Sequence, residues 1–257
     1  MIVLGRKCFS LVPALMTLIA WSQAITAAQA PSRVLVEPRI TLSQVVEKLL
    51  QKNAERAKAL ESYRGKRVYK LEYKGFPKTL RAEMVVEMTY HAPAQKEFKI
   101  LSESGSKWIV KRVLKRLIEE ESEAQQASNR SSVELNSRNY EFTLLESETS
   151  TSGCSYVLGI QPKAPNKFLY RGRIWVDDQD FAVCRIEAEP AKNPSIWITK
   201  TEIHHSYHKF KDFWLPVENQ SVSNLRLGGR AILTIAYQNY EINADHAPKD
   251  SETSTGQ

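Results

Sequence analysis

The residues best placed to do chemistry are Glu202, His204, Ser206 and His208, which follow one another at two-residue spacing. On an extended strand they project from one face, where two imidazoles and a carboxylate could hold a transition metal or carry protons. The opposite face takes Trp197, Thr201 and Ile203. That face reads as buried, so the histidines are expected to look outward and no metal site is expected. The acidic run Asp177-Asp178-Gln179-Asp180 lacks the spaced ligands and glycine of a calcium loop and is expected to be a hairpin turn. Ser152-Gly153-Cys154-Ser155 has neither the G-x-S-x-G elbow nor its strand-to-helix setting. No phosphate loop, metalloprotease helix or dinucleotide fingerprint is present. Carboxylates are plentiful, but nothing selects two of them as an acid and base pair, so neither an enzyme nor a cofactor is expected.

The elements around these residues alternate with a period of two. Tyr69, Leu71 and Tyr73 share one face while Lys70, Glu72 and Lys74 take the other, as in a half-buried strand. Strands are expected near 65–75, 79–91, 95–103, 138–148, 154–161, 168–178, 181–190, 195–208, 212–224 and 229–242. Short turns separate them at Pro162–Asn166, Asp177–Asp180, Pro190–Pro194, Lys211-Asp212 and Gly228-Gly229, and the polar stretch Ser128–Ser137 is expected to be a loop. Such spacing favours antiparallel neighbours over βαβ crossovers.

Two helices interrupt the pattern. Thr41 can cap the first, whose apolar stripe is Leu42, Val45, Val46, Leu49, Leu50, Ala57 and Leu60. The second, near Lys107–Ala127, carries Trp108, Val110, Leu114, Leu117 and Ile118 on one side, with Lys111, Arg112, Lys115 and Arg116 early and Glu119 to Glu123 late. That charge order opposes the helix dipole. It reads either as a solvated face with Lys-to-Glu pairs or as a basic half facing anionic lipid or an acidic partner.

Residues 1–30 have the form of a secretory signal peptide: Arg6 and Lys7, an apolar run from Cys8 to Trp21, then small residues. The run falls short of the roughly 20 apolar residues of a membrane span. Pro31 makes cleavage after Ala27 or Ala28 plausible, and no cysteine stands where a lipoprotein signal places its thiol. A periplasmic protein is therefore expected, with one domain over 31–243, a disordered polar tail over 244–257, and a monomeric state. The formal charge of +7 falls to about +5 on cleavage. Bases and acids are interleaved along most strands, which argues against nucleic-acid binding.

Cys154 and Cys184 remain after export into an oxidising compartment. A simple meander puts a third strand between them and separates them by roughly 9–10 Å, beyond the reach of about 7 Å for a bridge. Two free, largely buried thiols are expected.

The fold class that follows is mainly β with helices: an incomplete antiparallel barrel of about ten to eleven strands with a helical lid or plug. Its inward side chains are expected to be Tyr69, Leu71, Tyr73, Met84, Val86, Met88, Phe98, Ile100, Ile174, Val176, Trp197, Trp214, Leu233 and Ile235. An eight-stranded barrel already has room for one small ligand, so either the helices fill the space or a ligand does.

The order helix, three strands, amphipathic helix, long meander resembles the LolA/LolB superfamily of periplasmic lipoprotein carriers and outer-membrane lipoprotein-sorting proteins. The segments carrying the resemblance are Asn139-Tyr140-Glu141-Phe142, Gly172-Arg173-Ile174-Trp175-Val176-Asp177, Phe213-Trp214-Leu215-Pro216 and Ala236-Tyr237-Gln238-Asn239-Tyr240-Glu241. The second and third look like that family's "iWvD" and "gyW.P" strands. The resemblance implies a hydrophobic half-barrel that shields lipid or lipoprotein acyl chains under a lid, with an inner- or outer-membrane transport complex as partner. It also implies an arginine on an early strand that latches the lid, for which Arg81 is the nearest positional candidate. The chain lacks the lipidated cysteine of the receptor-type members and has a longer linker at Ser128–Ser137, so no particular cargo is implied. The alternative expectation is a sensor or interaction module like the regulator RseB, with a membrane protein as partner.

Overall fold

The computed structural model describes residues 40–125, 131–147, 153–164, 166, 168–193 and 195–244. The expected signal peptide and polar tail lie outside the described residues, apart from Ala244 at the end of the last strand. Helix α1 (Leu42–Ala59) starts at Thr41, whose hydroxyl accepts from the Gln44 backbone N–H while the Gln44 side chain accepts from the Thr41 backbone N–H. This reciprocal cap satisfies two of the donors that a helix start leaves open. Strands β1 (Leu60–Lys74), β2 (Leu80–His91) and β3 (Gln95–Gly105) follow. Next come α2 (Lys107–Ile109), a π-helical turn (Val110–Leu114) and α3 (Lys115–Gln125), which together form the lid. The chain then runs through β4 (Tyr140–Ser147), β5 (Tyr156–Pro162), β6 (Tyr170–Val176), β7 (Val183–Pro190), β8 (Ile198–Phe210), β9 (Phe213–Leu225) and β10 (Arg230–Ala244).

All ten strands form one antiparallel sheet in the order β3-β2-β1-β10-β9-β8-β7-β6-β5-β4. The sheet does not close, so β3 and β4 are its edges and the barrel is incomplete. Because side chains alternate across a strand, cross-strand partners on the inner face can be traced through nine strands: Met84, Tyr69, Ile235, Asn219, His205, Ile186, Ile174, Leu158 and Leu144. This row is apolar at both ends and polar in the middle.

Each apolar end carries a helix. Val45, Val46 and Leu49 of α1 pack on Tyr140, Leu158, Ile160, Ile174 and Val176. Ile109, Val110 and Leu114 of the lid pack on Tyr69, Leu71, Ala82, Met84, Val86 and Ile235. Gly105 sets the angle at which the lid leaves β3: its φ is +81°, and a Cβ there would meet the Arg81 carbonyl, so both strain and space restrict the position to glycine.

The two cysteines are bonded to each other, with Cα atoms 6.4 Å apart, which corrects the expectation of free thiols. The assumed even register is what failed. Trp175 pairs with Arg185 but Val176 pairs with Val183, so Cys184 sits in a bulge. Cys154 lies before β5 begins, in a loop where Asp178 N–H donates to the Gly153 carbonyl over 2.9 Å. Loop and bulge together close the distance that a flat meander would keep open.

Candidate functional site

The inner face divides into an α1 half, a lid half and a polar strip between them. In the α1 half, Ile174 and Val176 are core residues covered by the helix. Arg56 at the last turn of α1 donates to the Asp180 and Phe181 carbonyls over 2.7 and 3.2 Å, and the Lys48 ammonium lies 4.8 Å from the Phe181 ring centroid. The helix is thus fastened to the β6–β7 turn by its tail as well as by its apolar face.

The lid half brings together most of the expected inward residues. Tyr69, Leu71, Met84, Val86 and Ile235 are buried beneath the lid, with Tyr73, Phe98 and Leu233 packed around them. Met88 is also buried. On the helix, Val110 and Leu114 are buried and Leu117 and Ile118 partly so. Trp108 is exposed and Ile109 takes the buried place instead. Positions two apart on a helix face opposite ways, so Trp108 and Val110 could not share a side. Three further expectations are corrected. Ile100 pairs with buried Val86 but is exposed, because β3 is the edge strand and has no neighbour on its far side. Trp197 precedes β8 and is exposed. Trp214 is half-buried, and its indole N–H donates to Asp180 Oδ2 over 2.9 Å at the β6–β7 turn, away from the lid.

The lid is tied to the sheet by a charge pair that the sequence reading did not find. Arg67 on β1 is buried, and its guanidinium donates to both Glu121 oxygens of α3 over 2.6 and 3.2 Å. Lys96 on β3 reaches Glu121 Oε1 over 2.7 Å. The Arg67 guanidinium lies 5.4 Å from the Phe98 ring centroid and 5.1 Å from that of Tyr237, and it donates to the Tyr69 hydroxyl over 3.3 Å. Burial by itself would push the Glu121 carboxyl up, but the Arg67 and Lys96 charges outweigh it and hold the group at about 2. Arg81, the expected latch, instead pairs with Glu72 over 2.6 Å on the exposed outer face. Arg67 is in phase with Tyr69, Leu71 and Tyr73, whereas Arg81 is out of phase with Ala82, Met84 and Val86.

Of the basic residues on the lid, Lys115 pairs with Glu103 over 2.8 Å and Arg116 with Glu120 over 3.2 Å. Lys111 and Arg112 are exposed in the π turn. The first of these pairs joins the helix to β3 and the second lies within the helix.

The polar strip runs along β8 and β9. Thr201 and Ser223 share a hydrogen bond of 2.8 Å, and the His205 Nδ1 lies 3.3 Å from the Tyr207 hydroxyl. His205 and Asn219 are cross-strand partners, and His205 Nε2 and Asn219 Oδ1 are shut off from solvent without a hydrogen bond of good geometry among the described residues. Burial pushes the His205 imidazole down to about 4, so the ring is neutral at ordinary pH. His204 projects outward, 3.8 Å from Glu187, and among the described residues no three His, Cys, Asp or Glu side chains could jointly hold a metal ion. Two open clefts, of about 440 and 260 Å³, lie on the outer side. Lys70, Glu72, Arg81 and Glu83 line the first, and Arg171, Glu187, Lys200 and Glu202 the second. Leu71, Ala82 and Ile232 also contribute to the first, and Ala188 and Ile203 to the second, so both mix charged and apolar walls.

No family model matches the chain, and no curated protein does. Among solved structures it is similar to a DUF1329 family protein from Desulfovibrio piger, at 10% identity and a TM-score of 0.40 over 80% of this chain and 94% of that one. It is similar to an outer membrane lipoprotein-sorting protein domain from Vibrio parahaemolyticus, at 12% identity and 0.37 over 79% and 94%. It is also similar to a LolA superfamily protein from Nitrosomonas europaea, at 11% identity and 0.36 over 80% and 96%. Likeness at this level concerns the fold and says nothing of a ligand.

Proposed function

We propose that this protein is a periplasmic carrier that shelters the acyl chains of a lipid or lipoprotein beneath a displaceable lid, without making or breaking bonds. The observation that carries this reading is the way the lid is held. An apolar helix face covers an apolar sheet face, and one buried ion pair fixes its position. Buried ion pairs contribute little net stability when intact, and the Arg67 Nε–H has no acceptor among the described residues, which leaves part of its desolvation cost uncompensated. Such a pair sets register more than it locks. The π-helical turn at Val110–Leu114 is a further site of easy rearrangement, since π turns interrupt the regular helix ladder and frequently occur at functional sites.

An incoming acyl chain would replace Ile109, Val110 and Leu114 against Tyr69, Leu71, Met84 and Val86. Burial of about 0.8 kcal/mol per methylene would then offset the lid contacts that are lost. Thr201, His205, Asn219 and Ser223 offer uncharged hydrogen-bonding groups to the polar end of the same molecule. The absence of a fixed charge in that set favours an ester, amide or hydroxyl over a phosphate.

The test is native mass spectrometry of the protein recovered from its own periplasm, together with binding of an apolar fluorophore. Bound lipid or lipoprotein is expected. Exchanging Leu114 and Leu117 for Asp should abolish retention and lower the melting temperature. A lipid-free protein that also ignores the fluorophore would overturn the reading.

A further inference from the structure

The most exposed large apolar side chains of the described residues are gathered at one end of the sheet. Phe76 is 90% exposed, Leu227 83%, Ile196 76%, Trp108 65% and Trp197 55%. They come from four separate segments, which the strand register places along one rim: the β1–β2 loop, the start of the lid after β3, the β7–β8 loop and the β9–β10 turn. Two contacts join the segments directly. The Arg226 backbone N–H donates to the Trp197 carbonyl over 2.9 Å, and a Cβ on Gly75 would lie 3.1 Å from the Gly229 Cα. The rim thus presents two tryptophans, a phenylalanine and two branched aliphatics without burying them.

Four of the segments at this rim carry charge of one sign, while the stretch entering β4 at the same end adds Glu134 beside Arg138. Segments 74–80, 106–112, 191–198 and 225–230 contain eight lysines and arginines and no aspartate or glutamate. At the opposite rim, the β6–β7 and β8–β9 turns carry Asp177, Asp178, Asp180 and Asp212 against Lys211. There Asp177 is buried and Asp180 is paired with Lys209, whereas the greasy end of the molecule carries an excess of bases. Isolated exposed apolar residues need no explanation, but a set gathered at one end of the sheet among bases marks an interaction surface. Trp and Phe at loop tips beside Lys and Arg match the interface of an anionic bilayer, where aromatic rings settle at headgroup depth and cations meet lipid phosphates. A folded protein surface would have to supply both a greasy face and an excess of acid to match it.

We infer that this rim docks the protein peripherally on an anionic lipid surface, with Phe76, Trp108, Trp197 and Leu227 entering the headgroup layer and Lys78, Lys107, Arg226 and Arg230 contacting phosphates. The docking surface is distinct from the lid's apolar face, which is turned toward the sheet.

The experiment measures partition of the protein purified after export onto vesicles of phosphatidylethanolamine and phosphatidylglycerol, against phosphatidylcholine alone. Binding to the anionic vesicles is expected, with a blue shift of tryptophan emission and quenching by a lipid-borne quencher, and it should weaken as salt rises. Phe76→Ser with Leu227→Ser should lower partition by at least about tenfold, given the apolar area each tip would bury. Lys78→Gln with Arg226→Gln should lower it by roughly 30-fold, at about 1 kcal/mol per cation near the surface. All four positions lie in turns, so melting temperatures should stay unchanged and a binding loss will not be a folding loss. The inference is overturned by equal affinity for neutral vesicles, by no affinity for either, or by variants that bind as the parent does. It also fails if the tip substitutions dissolve a dimer in sedimentation while vesicle binding persists, because the rim would then be a self-association surface. A protein that carries lipid yet ignores vesicles would defeat this inference and leave the carrier reading intact.

Discussion

The α1 half and the lid half of the inner face are built from the same apolar materials and held in different ways. Leu49 and Leu114 are equally buried, so their apolar contributions to stability should be similar. What differs is the fastening. Beneath α1 the apolar contact is backed by Arg56 on two backbone carbonyls, and the sheet on that side is crosslinked by Cys154–Cys184. Beneath the lid, the contact is backed by the Arg67–Glu121–Lys96 cluster, and the helix is broken by a π turn. Backbone carbonyls and a covalent bond are insensitive to pH and hard to replace, whereas a carboxylate can be neutralised or offered a competing partner. The first fastening should therefore resist acid and competing ligands better than the second.

The largest expected effect tests the second fastening. Glu121→Ala leaves Arg67 buried without its partner, which should cost about 3–5 kcal/mol. Amide hydrogen exchange should rise in α2 and α3 while α1 stays protected, and equal loosening of both helices would remove the distinction. Next comes the crosslink. Cys154→Ser with Cys184→Ser releases a closed loop spanning a sequence separation of 30, worth about 3–4 kcal/mol in the chain-entropy account. Chemical denaturation should show that loss, with hydrogen exchange raised in β5 and β7 and little changed in the lid.

Acid should separate the polar strip from the lid. The His205 imidazole is held at about 4 against 6.5 unfolded, so the unfolded chain binds more protons between those values. Its contribution is complete above pH 6.5 and is lost as pH falls toward 4. Glu121 is held at about 2 against 4.5, so its contribution is complete above 4.5 and lost as pH falls toward 2. Each amounts to about 3 kcal/mol at most. Stability measured against pH should decline in two windows, with His205→Leu removing the upper slope and Glu121→Gln the lower. The smallest effect belongs to Arg81. Its exposed pair with Glu72 should contribute at most about 1 kcal/mol, so Arg81→Gln should leave both the melting temperature and lid exchange near those of the parent. A large lid opening in that variant would restore Arg81 as the latch.

Much of this architecture is local and therefore legible. Period-two alternation and short turns locate the ten strands to within a few residues, because one face of each must be dry and a tight turn demands particular residues. Thr41 and the apolar stripe around Leu49 mark α1 for the same kind of reason. Part of the site was also visible in phase: Arg67 falls on the parity of Tyr69 and Leu71, and His205 on that of Thr201 and Ile203, so both stand out as polar groups on a dry face. Their partners were not visible. Glu121 is one of several acids in a helical run, and only the docking angle of the lid selects it. Cys154 and Cys184 meet because of a bulge between Trp175 and Val176, a register shift that no alternation pattern records. The basic apolar rim is decided at the same level, since Phe76, Trp108, Trp197 and Leu227 lie far apart along the chain. The sequence by itself determined which faces are dry and where the chain turns, because burial and backbone sterics act over a few residues. Which polar group meets which was left to strand register and helix docking, set only when the whole sheet is assembled.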